Sequence, residues 1–549
     1  MSSNISKLLS RRGIDHSLLE AFHHHQKSPA SSRERLIKKL AKEHQIGEAQ
    51  VAASFSFYDH LDSAGDPREL ALCNGTACLC ADPDNRLLAA LKKRHGKEVT
   101  ERVSCLGHCY AAHAYLDRGQ PCSGDPAPSR EPEITNTISD ELVRSNLKEP
   151  LLTTTPLSIE QTAELITRIT TQAPYDLLDQ ILTSKLRGCG GAGFPTGVKW
   201  ESCMRVKSTT KFIICNADEG DPGAFSDRYL LESQPLRVLT GMMLAGRVIG
   251  ATTGLIYLRD EYPHASTTLQ KAISDLRAAA LLGKGINGGE FDFEIKVILG
   301  AGAYICGEET ALIASIEGRR PEVAVRPPYP TQSGLYGYPT VVNNVETFAA
   351  TTAILETSGE EYARLGSTQS TGTKLISLSS LFNQPGIVEV EMGTPLDDLL
   401  YQWGDGFSQP VKAIQVGGPL GGVIRTDQTT SLTLDFESFA EHGFVLGHGG
   451  IVAIPESMPM NRFIHHLFGF VAEESCGKCF PCRLGSKRGE EMFQHALDGS
   501  PLNPQLLDDL LLTLEQGSLC GLGGGIPLPI RNILQQFSDE LPWTEGRER

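Results

Sequence analysis

Lys211-Phe-Ile-Ile-Cys-Asn-Ala-Asp-Glu-Gly-Asp-Pro-Gly223 is an apolar run that breaks off into a polar turn. The run Lys211–Cys215 reads as a strand and Asn216–Gly223 as the turn after it. On either side, strands and helices alternate. A helical stretch spans Ser158–Ile181, and beyond the strand come Pro235–Ile249, Gly254–Leu258, Ala265–Leu282, Phe293–Leu299 and Glu308–Glu317. That order predicts a mainly parallel sheet with crossover helices. Open sheets of this kind bind ligands at the carboxyl ends of their strands, where Asn216, Asp218 and Glu219 fall. Taken alone, an Asx-rich turn is the better reading of these residues.

Two more loops change that balance. Leu186-Arg-Gly-Cys-Gly-Gly-Ala-Gly-Phe-Pro-Thr-Gly-Val-Lys-Trp200 is glycine-rich and leads into Lys199. Clustered glycines expose backbone N–H groups to an anion, and a lysine adds a point charge. The loop is neither a Walker loop nor a dinucleotide fingerprint, because no strand directly precedes it. Gly300-Ala-Gly-Ala-Tyr-Ile-Cys-Gly-Glu-Glu-Thr310 follows the strand ending at Leu299. Glu308 and Glu309 are either carboxylates favoured at a helix start or contacts to a nucleotide. Three such loops around one sheet are harder to dismiss than any one of them.

A different chemistry sits near the carboxyl end. Cys476, Cys479 and Cys482 are each separated by two residues in Glu474-Ser-Cys-Gly-Lys-Cys-Phe-Pro-Cys-Arg483, and Cys520 follows in Leu519-Cys-Gly-Leu-Gly-Gly-Gly525. Three closely spaced thiols with a remote fourth are the usual grip on a cubic iron–sulfur cluster. Zinc on four thiolates is the rival, although a zinc ribbon normally uses two CxxC pairs.

The 549 residues carry a formal charge of −16, 55 glycines and 14 cysteines, with 40% of the chain hydrophobic. That is enough for several cores. The acidic balance argues against nucleic-acid binding, which needs a basic face. The most apolar stretch, Thr240–Leu258, is interrupted by Arg247 and glycines, so no membrane insertion is expected. The first residues lack the apolar core of a secretory signal. Many cysteines without a signal favour metal sites and reduced thiols over disulfides, and a cytoplasmic location.

Residues 1–65 read as a helical segment, with His23–His25 an exposed turn or helix end rather than a metal tract. Residues 66–118 form a small unit with strands at Glu69–Leu72, Glu101–Ser104 and near Ala111–Leu116 and a helix at Arg86–His95. Residues 119–150 read as a linker, from a stretch rich in Pro, Ser, Gly and Asp. The α/β domain is placed at 151–330, a β-rich domain at 331–430 and a helical domain at 431–549.

Together the segments GCGGAGFPTGVKW, NADEGDPGAFSDR, GAGAYICGEETAL, VRPPYP, PTVVNNVETF and ESCGKCFPCRLG, with Cys520, resemble the flavin-bearing NADH-oxidising subunit of respiratory complex I. Its relatives in NAD-linked hydrogenases and formate dehydrogenases share the pattern. Ala53–Tyr58, Leu72–Cys78 and Ser104–Cys109 resemble that subunit's small thioredoxin-like partner, fused upstream. The resemblance implies an α/β multidomain chain: the helical segment and thioredoxin-like unit, a Rossmann-like domain for FMN and NAD(H), a β-grasp (SLBB-like) domain, and a helical bundle with a 4Fe–4S cluster. FMN would lie against Gly188, Gly190, Gly191, Lys199, Asn216, Asp218, Glu219, Asn343 and Asn344. NAD(H) would be held by Phe194, Glu308 and Glu309, with Tyr304, Gly307 and Tyr329 at further matching positions. The spacings Cys73-x4-Cys78 and Cys105-x3-Cys109 match a 2Fe–2S quartet, although the 26 residues between Cys78 and Cys105 are fewer than the family usually has. Zinc or four plain buried thiols are the other readings of that quartet.

There are three departures from the pattern: Cys189 for an arginine, Ser202 for an adenine-stacking aromatic and Asp221 for glutamate. The activity implied is that of a diaphorase subunit, exchanging hydride between NAD(H) and FMN and single electrons between FMN and the clusters. Gln415–Gly422 and Gly447–Val452 resemble the formate dehydrogenase branch. The expected partner is therefore a molybdenum- or tungsten-containing formate dehydrogenase catalytic subunit in a hetero-oligomer. Hydrogenase subunits, a complex I module or a non-catalytic relay scaffold are the alternatives.

Overall fold

The structure, a computed structural model, describes residues 14, 18–25, 33–62, 70–95, 101–111, 114–117, 120–123, 133–134 and 137–544. The first sheet contains β1 (Leu70–Cys73), β2 (Glu101–Val103), β3 (Tyr115–Asp117), β4 (Gln120–Ser123) and β5 (Glu133–Ile134), in the order β2-β1-β3-β4-β5. β1 and β2 are parallel, and the other pairings are antiparallel. The stretch expected as a linker therefore supplies two strands here. It supplies a third, β6 (Val143–Ser145), to another sheet.

The second sheet holds the decisive run. It comprises β7 (Phe212–Ala217), β8 (Thr253–Leu258), β9 (Glu294–Leu299) and β10 (Thr340–Asn344), all parallel, in the order β10-β7-β8-β9. A parallel sheet must be covered on both faces. Side chains alternate accordingly. Ile213, Cys215, Ile256 and Leu258 pack with the helices Ile159–Thr171, Pro235–Ile249 and Val345–Glu356. Ile214, Leu255, Tyr257 and Ile298 face the other way, onto Leu18, Phe22, Leu40, Val51, Phe55 and Tyr58. The amino-terminal helices Leu18–His25, Arg33–His44 and Glu48–Phe55 thus complete the sheet's second layer. His23 lies at the end of the first of them, and its Nε2 donates to the carbonyl of Gly300 at 2.9 Å.

The third sheet has the order β14-β13-β15-β11-β12-β6. Its strands are β6, β11 (Thr373–Leu378), β12 (Gly386–Glu391), β13 (Val411–Val416), β14 (Val423–Arg425) and β15 (Gly450–Pro455). A boundary at 330/331 therefore cuts the parallel sheet, because β10 and the helix after it belong there. β6 and β15 join the β-rich unit from outside 331–430. Glu389 on β12 is fully buried and holds residues 151–153 in place. It accepts from Leu151 N (3.0 Å), Leu152 N (3.0 Å) and Thr153 N (2.8 Å). Glu389→Ala should orphan these donors at a cost of about 3 kcal/mol or more. In a unit of this size that lowers a melting transition by roughly 6–12 °C. An unchanged scanning calorimetry trace would contradict that anchoring role.

The carboxyl-terminal helices Met460–Glu474, Phe480–Leu497, Pro504–Gly517 and Pro527–Gln536 pack together. No helix among the described residues is long and apolar enough to cross a membrane.

Candidate functional site

β7 leads by helical crossover to β8 on one side and borders β10 on the other, so the sheet's order reverses between β7 and β10. Ligands of open α/β sheets bind outside such a switch point. The register places Asn344 beside Asn216, and Asn343 beside Cys215, at the carboxyl ends of these strands. Asn344 caps the next helix, its Oδ1 accepting from Glu346 N (2.9 Å) and Thr347 N (3.3 Å), while Nδ2 donates to Asp227. Asn343 Oδ1 accepts from the indole of buried Trp200 at 2.9 Å. Asn216 Nδ2 donates to the carbonyl of Gly307 at 2.8 Å and so ties the second loop to the third.

The glycine loop is closed by the Gly188 N–H to the Phe194 carbonyl (2.9 Å) and the Thr196 N–H to Leu186 (2.9 Å). It runs straight into the helix Thr196–Arg205, whose first turn carries Lys199. Lys199 donates to the Val342 carbonyl at 3.0 Å and lies 3.8 Å from Glu309. Burial pulls its pKa below the usual lysine value, against the attraction of Glu309. Gly190 sits so near Asn344 that a Cβ there would lie 3.0 Å from the asparagine's own. Phe194 and Tyr329 stand exposed at the rim.

In the third loop, Glu308 caps the helix Glu309–Ile316, accepting from Thr310 N (2.9 Å) and Ala311 N (3.0 Å). Glu309 pairs with Arg326 at 3.0 Å. Tyr304 donates to Asp221 at 2.6 Å, and its N–H donates to Glu474 at 2.8 Å, just ahead of the cysteine run. Burial pushes the Asp218 carboxyl well above its ordinary value. Glu219 lines the inner cavity and is also held by the chain itself. Its carboxylate accepts from Asp227 N (2.9 Å), Arg228 N (3.0 Å) and Tyr262 Oη (3.1 Å), capping the helix Ser226–Ser233.

Two adjoining cavities result. The outer, of 690 Å³, is lined by Gly188, Gly190, Phe194, Lys199, Asn216, Gly307, Glu308, Glu309, Tyr329, Asn343 and Asn344. The inner, of 330 Å³, is lined by Asp218, Glu219 and Tyr304 as well, and it ends against Cys520. Gly190, Ala192, Asn216, Gly307, Glu308 and Asn344 line both. Of the predicted residues of these loops, only Gly191 lines neither; it packs against the backbone of Gly447 and His448.

The three departures leave the cavities open. The thiol of Cys189 is buried and pushed up to about 12, chiefly by desolvation, while its N–H donates to Thr347 at 2.9 Å. Ser202 Oγ lies 3.2 Å from Thr331 Oγ1. Asp221 pairs with His448 at 3.1 Å. Arg326, Asp227, Glu346 and His448 also line the cavities and were not singled out from sequence. The cavity volumes suit a cofactor with a nucleotide. Asp218 Oδ2 and Glu308 Oε1 are buried there without a hydrogen-bond partner among the described residues, as a polar ligand requires.

The late cysteines are brought together at helix ends. Cys479 precedes the helix Phe480–Leu497, Cys482 lies in its first turn, and Cys520 precedes the turn Gly521–Gly525. A Cβ on Gly523 would lie 3.0 Å from the sulfur of Cys482, so only glycine allows that approach. No three His, Cys, Asp or Glu side chains among the described residues close around one point as a single ion requires. In the amino-terminal unit, Cys105 Sγ and Cys109 Sγ are 3.7 Å apart, and Cys73 is in contact with both Cys78 and Cys105. The Gly223 N–H, from the second loop, donates to Cys109 Sγ at 3.2 Å.

A nucleotide-sized cleft that reaches a member of a cysteine cluster is the layout of a redox subunit. The model of the Nuo51 FMN-binding domain matches residues 181–353, and that of the NADH-ubiquinone oxidoreductase-F iron-sulfur binding region matches residues 462–543. The chain is 42% identical over 381 residues to the NADP-reducing hydrogenase subunit HndC of Solidesulfovibrio fructosivorans, covering 69% of this chain and 77% of that one. It is 38% identical to the NAD-reducing hydrogenase HoxS subunit alpha of Cupriavidus necator, over 67% of this chain and 60% of that one. Among solved structures, a chain of an NAD+-reducing NiFe hydrogenase in the H2-reduced state superposes with a TM-score of 0.83 at 30% identity. That likeness covers 96% of this chain and 93% of the other. The chain belongs to the 51 kDa-type family of FMN-binding, NADH-oxidising subunits. Membership brings FMN, NAD(H) chemistry and a 4Fe–4S cluster.

Proposed function

We propose that this chain is a diaphorase subunit, with FMN on the glycine loop and strand ends and NAD(H) at the outer rim. The supporting observation is the shared wall of the two cavities, which carries the site from exposed Phe194 inwards to Cys520. A flavin accepts hydride as an electron pair and releases electrons singly, which is what a nicotinamide on one side and clusters on the other demand. The protein's own residues bind and orient. Phe194 and Tyr329 offer faces for stacking. Lys199 and Arg326 supply positive charge, and Glu308 and Glu309 accept hydrogen bonds. The assigned cluster ligands are Cys476, Cys479, Cys482 and Cys520 for 4Fe–4S, and Cys73, Cys78, Cys105 and Cys109 for 2Fe–2S. No general base is needed.

The partner supplies the other half-reaction. The motifs at Gln415–Gly422 and Gly447–Val452 favour a formate dehydrogenase. The likeness to a hydrogenase chain over nearly the whole length, which takes in the amino-terminal unit, favours a hydrogenase, and we place that reading first. Affinity purification of the native assembly decides between them. NAD+ reduction by H2 without response to formate supports the hydrogenase, and the reverse result supports formate dehydrogenase. An assembly that answers to neither overturns both.

A further inference from the structure

We infer that Arg228 and Arg259, two buried arginines of the flavin-binding unit, set the reduction potential of the cluster on Cys73, Cys78, Cys105 and Cys109. The inference rests on reading that quartet as a 2Fe–2S site.

Both guanidiniums reach out of their own unit and into the loop Cys105-Leu-Gly-His-Cys109. Arg259 Nη2 donates to the Cys105 carbonyl at 2.6 Å, and Nη1 donates to the Glu219 carbonyl at 2.5 Å. Arg228 Nη1 donates to the Gly107 carbonyl at 3.1 Å and lies 3.0 Å from His108 Nδ1. The two side chains are 3% and 5% exposed. Each also lies over the ring of Tyr262, with centroid distances of 5.9 and 5.2 Å. The loop is pressed onto that ring. Gly107 has φ +71°, and a Cβ there would meet the Tyr262 hydroxyl at 2.5 Å. Two ligand sulfurs accept backbone N–H groups, Cys105 from Gly107 at 3.3 Å and Cys109 from Gly223 at 3.2 Å.

Reduction adds one negative charge to a cluster enclosed by protein. A fixed cation held against the ligand loop in a low dielectric stabilises the reduced form and raises the potential. Each arginine has a counter-ion, Glu232 at 2.9 Å and Glu261 at 3.0 Å. In both cases the guanidinium itself bonds the loop's carbonyl, so the positive end of each pair faces the cysteines. Removing Arg259 subtracts that charge and leaves Glu261 facing the weaker, more distant His60, whose Nε2 is 3.9 Å away. Both changes lower the potential. A lysine keeps the charge but loses the two-carbonyl fork.

The test is an EPR-monitored redox titration of the 2Fe–2S signal in the full chain. Arg259→Met and Arg228→Met should each lower the midpoint so that the ratio of reduced to oxidised cluster falls at least tenfold at a fixed potential, which is 59 mV for one electron. Arg259→Lys should stay near wild type. Unchanged midpoints in both methionine variants, with the signal intact, overturn the inference. Loss of the signal in Arg259→Met supports it only together with a lowered midpoint in Arg228→Met; with an unmoved one, the arginines are mere tethers and the inference fails. Wild-type protein without any 2Fe–2S signal removes the cluster reading itself, a result distinct from an unmoved midpoint.

Discussion

Cys482→Ala should abolish the EPR signal of the reduced 4Fe–4S cluster and drop electron transfer to the partner to background, while NADH still bleaches the flavin. Cys482 is buried, its sulfur lies 3.4 Å from Ser475 Oγ, and it sits tight against Gly523, which fixes it beside Cys520. Losing one of four thiolates leaves one iron without a protein ligand. The surrounding helices do not depend on that bond. The rings of Phe468 and Phe493 meet in a tilted pair with centroids 6.0 Å apart, and Gly489 allows Phe468 to approach its helix closely. The apolar packing of Phe463, Leu467 and Val471 remains. The variant should therefore stay folded, with circular dichroism unchanged. Retention of the wild-type signal would remove Cys482 from the ligand set.

Gly190→Val should give a chain that keeps its clusters and loses its flavin. Gly190 lines both cavities, and an added Cβ would lie 3.0 Å from that of Asn344. Asn344 has nowhere to retreat, because its amide is committed to two backbone N–H groups and to Asp227. The branched side chain must displace the loop or fill the cleft. We expect FMN affinity to fall at least ~100-fold, about 2.7 kcal/mol. Gly190→Ala should show a smaller loss. Released flavin per chain, measured by fluorescence, checks both. Stoichiometric FMN in the valine variant would place the cofactor elsewhere.

Much of this was legible in the sequence because each loop follows its own strand or opens its own helix. Alternating elements located Asn216, Glu308 and Glu309, and the thiol spacing located Cys476–Cys482. What remained hidden was pairing over long distances. Asp227, Glu346 and His448 reach the inner cavity from separate elements, and the motifs that contain them do not show that they meet there. His448 stood out only as part of a glycine-rich motif. Arg326 lay in plain view beside two prolines, but its partner Glu309 is 17 residues upstream. Glu219 has a second commitment that nothing local announces: it lines the inner cavity, and its carboxylate also accepts from backbone donors of the next helix. The role of the amino-terminal helices is a property of the sheet they cover. The strands β4 and β5 lie in a proline- and glycine-rich stretch where composition argues for a linker, and the pairing of β4 with β3 and of β5 with β4 overrides it.

The most direct measurement is anaerobic titration of the purified chain with NADH, followed by visible absorption and EPR. The account predicts a yellow protein whose flavin band bleaches and whose 4Fe–4S signal appears as electrons pass inwards from the rim to Cys520. A preparation containing iron but no flavin, with spectra unmoved by NADH, would contradict it.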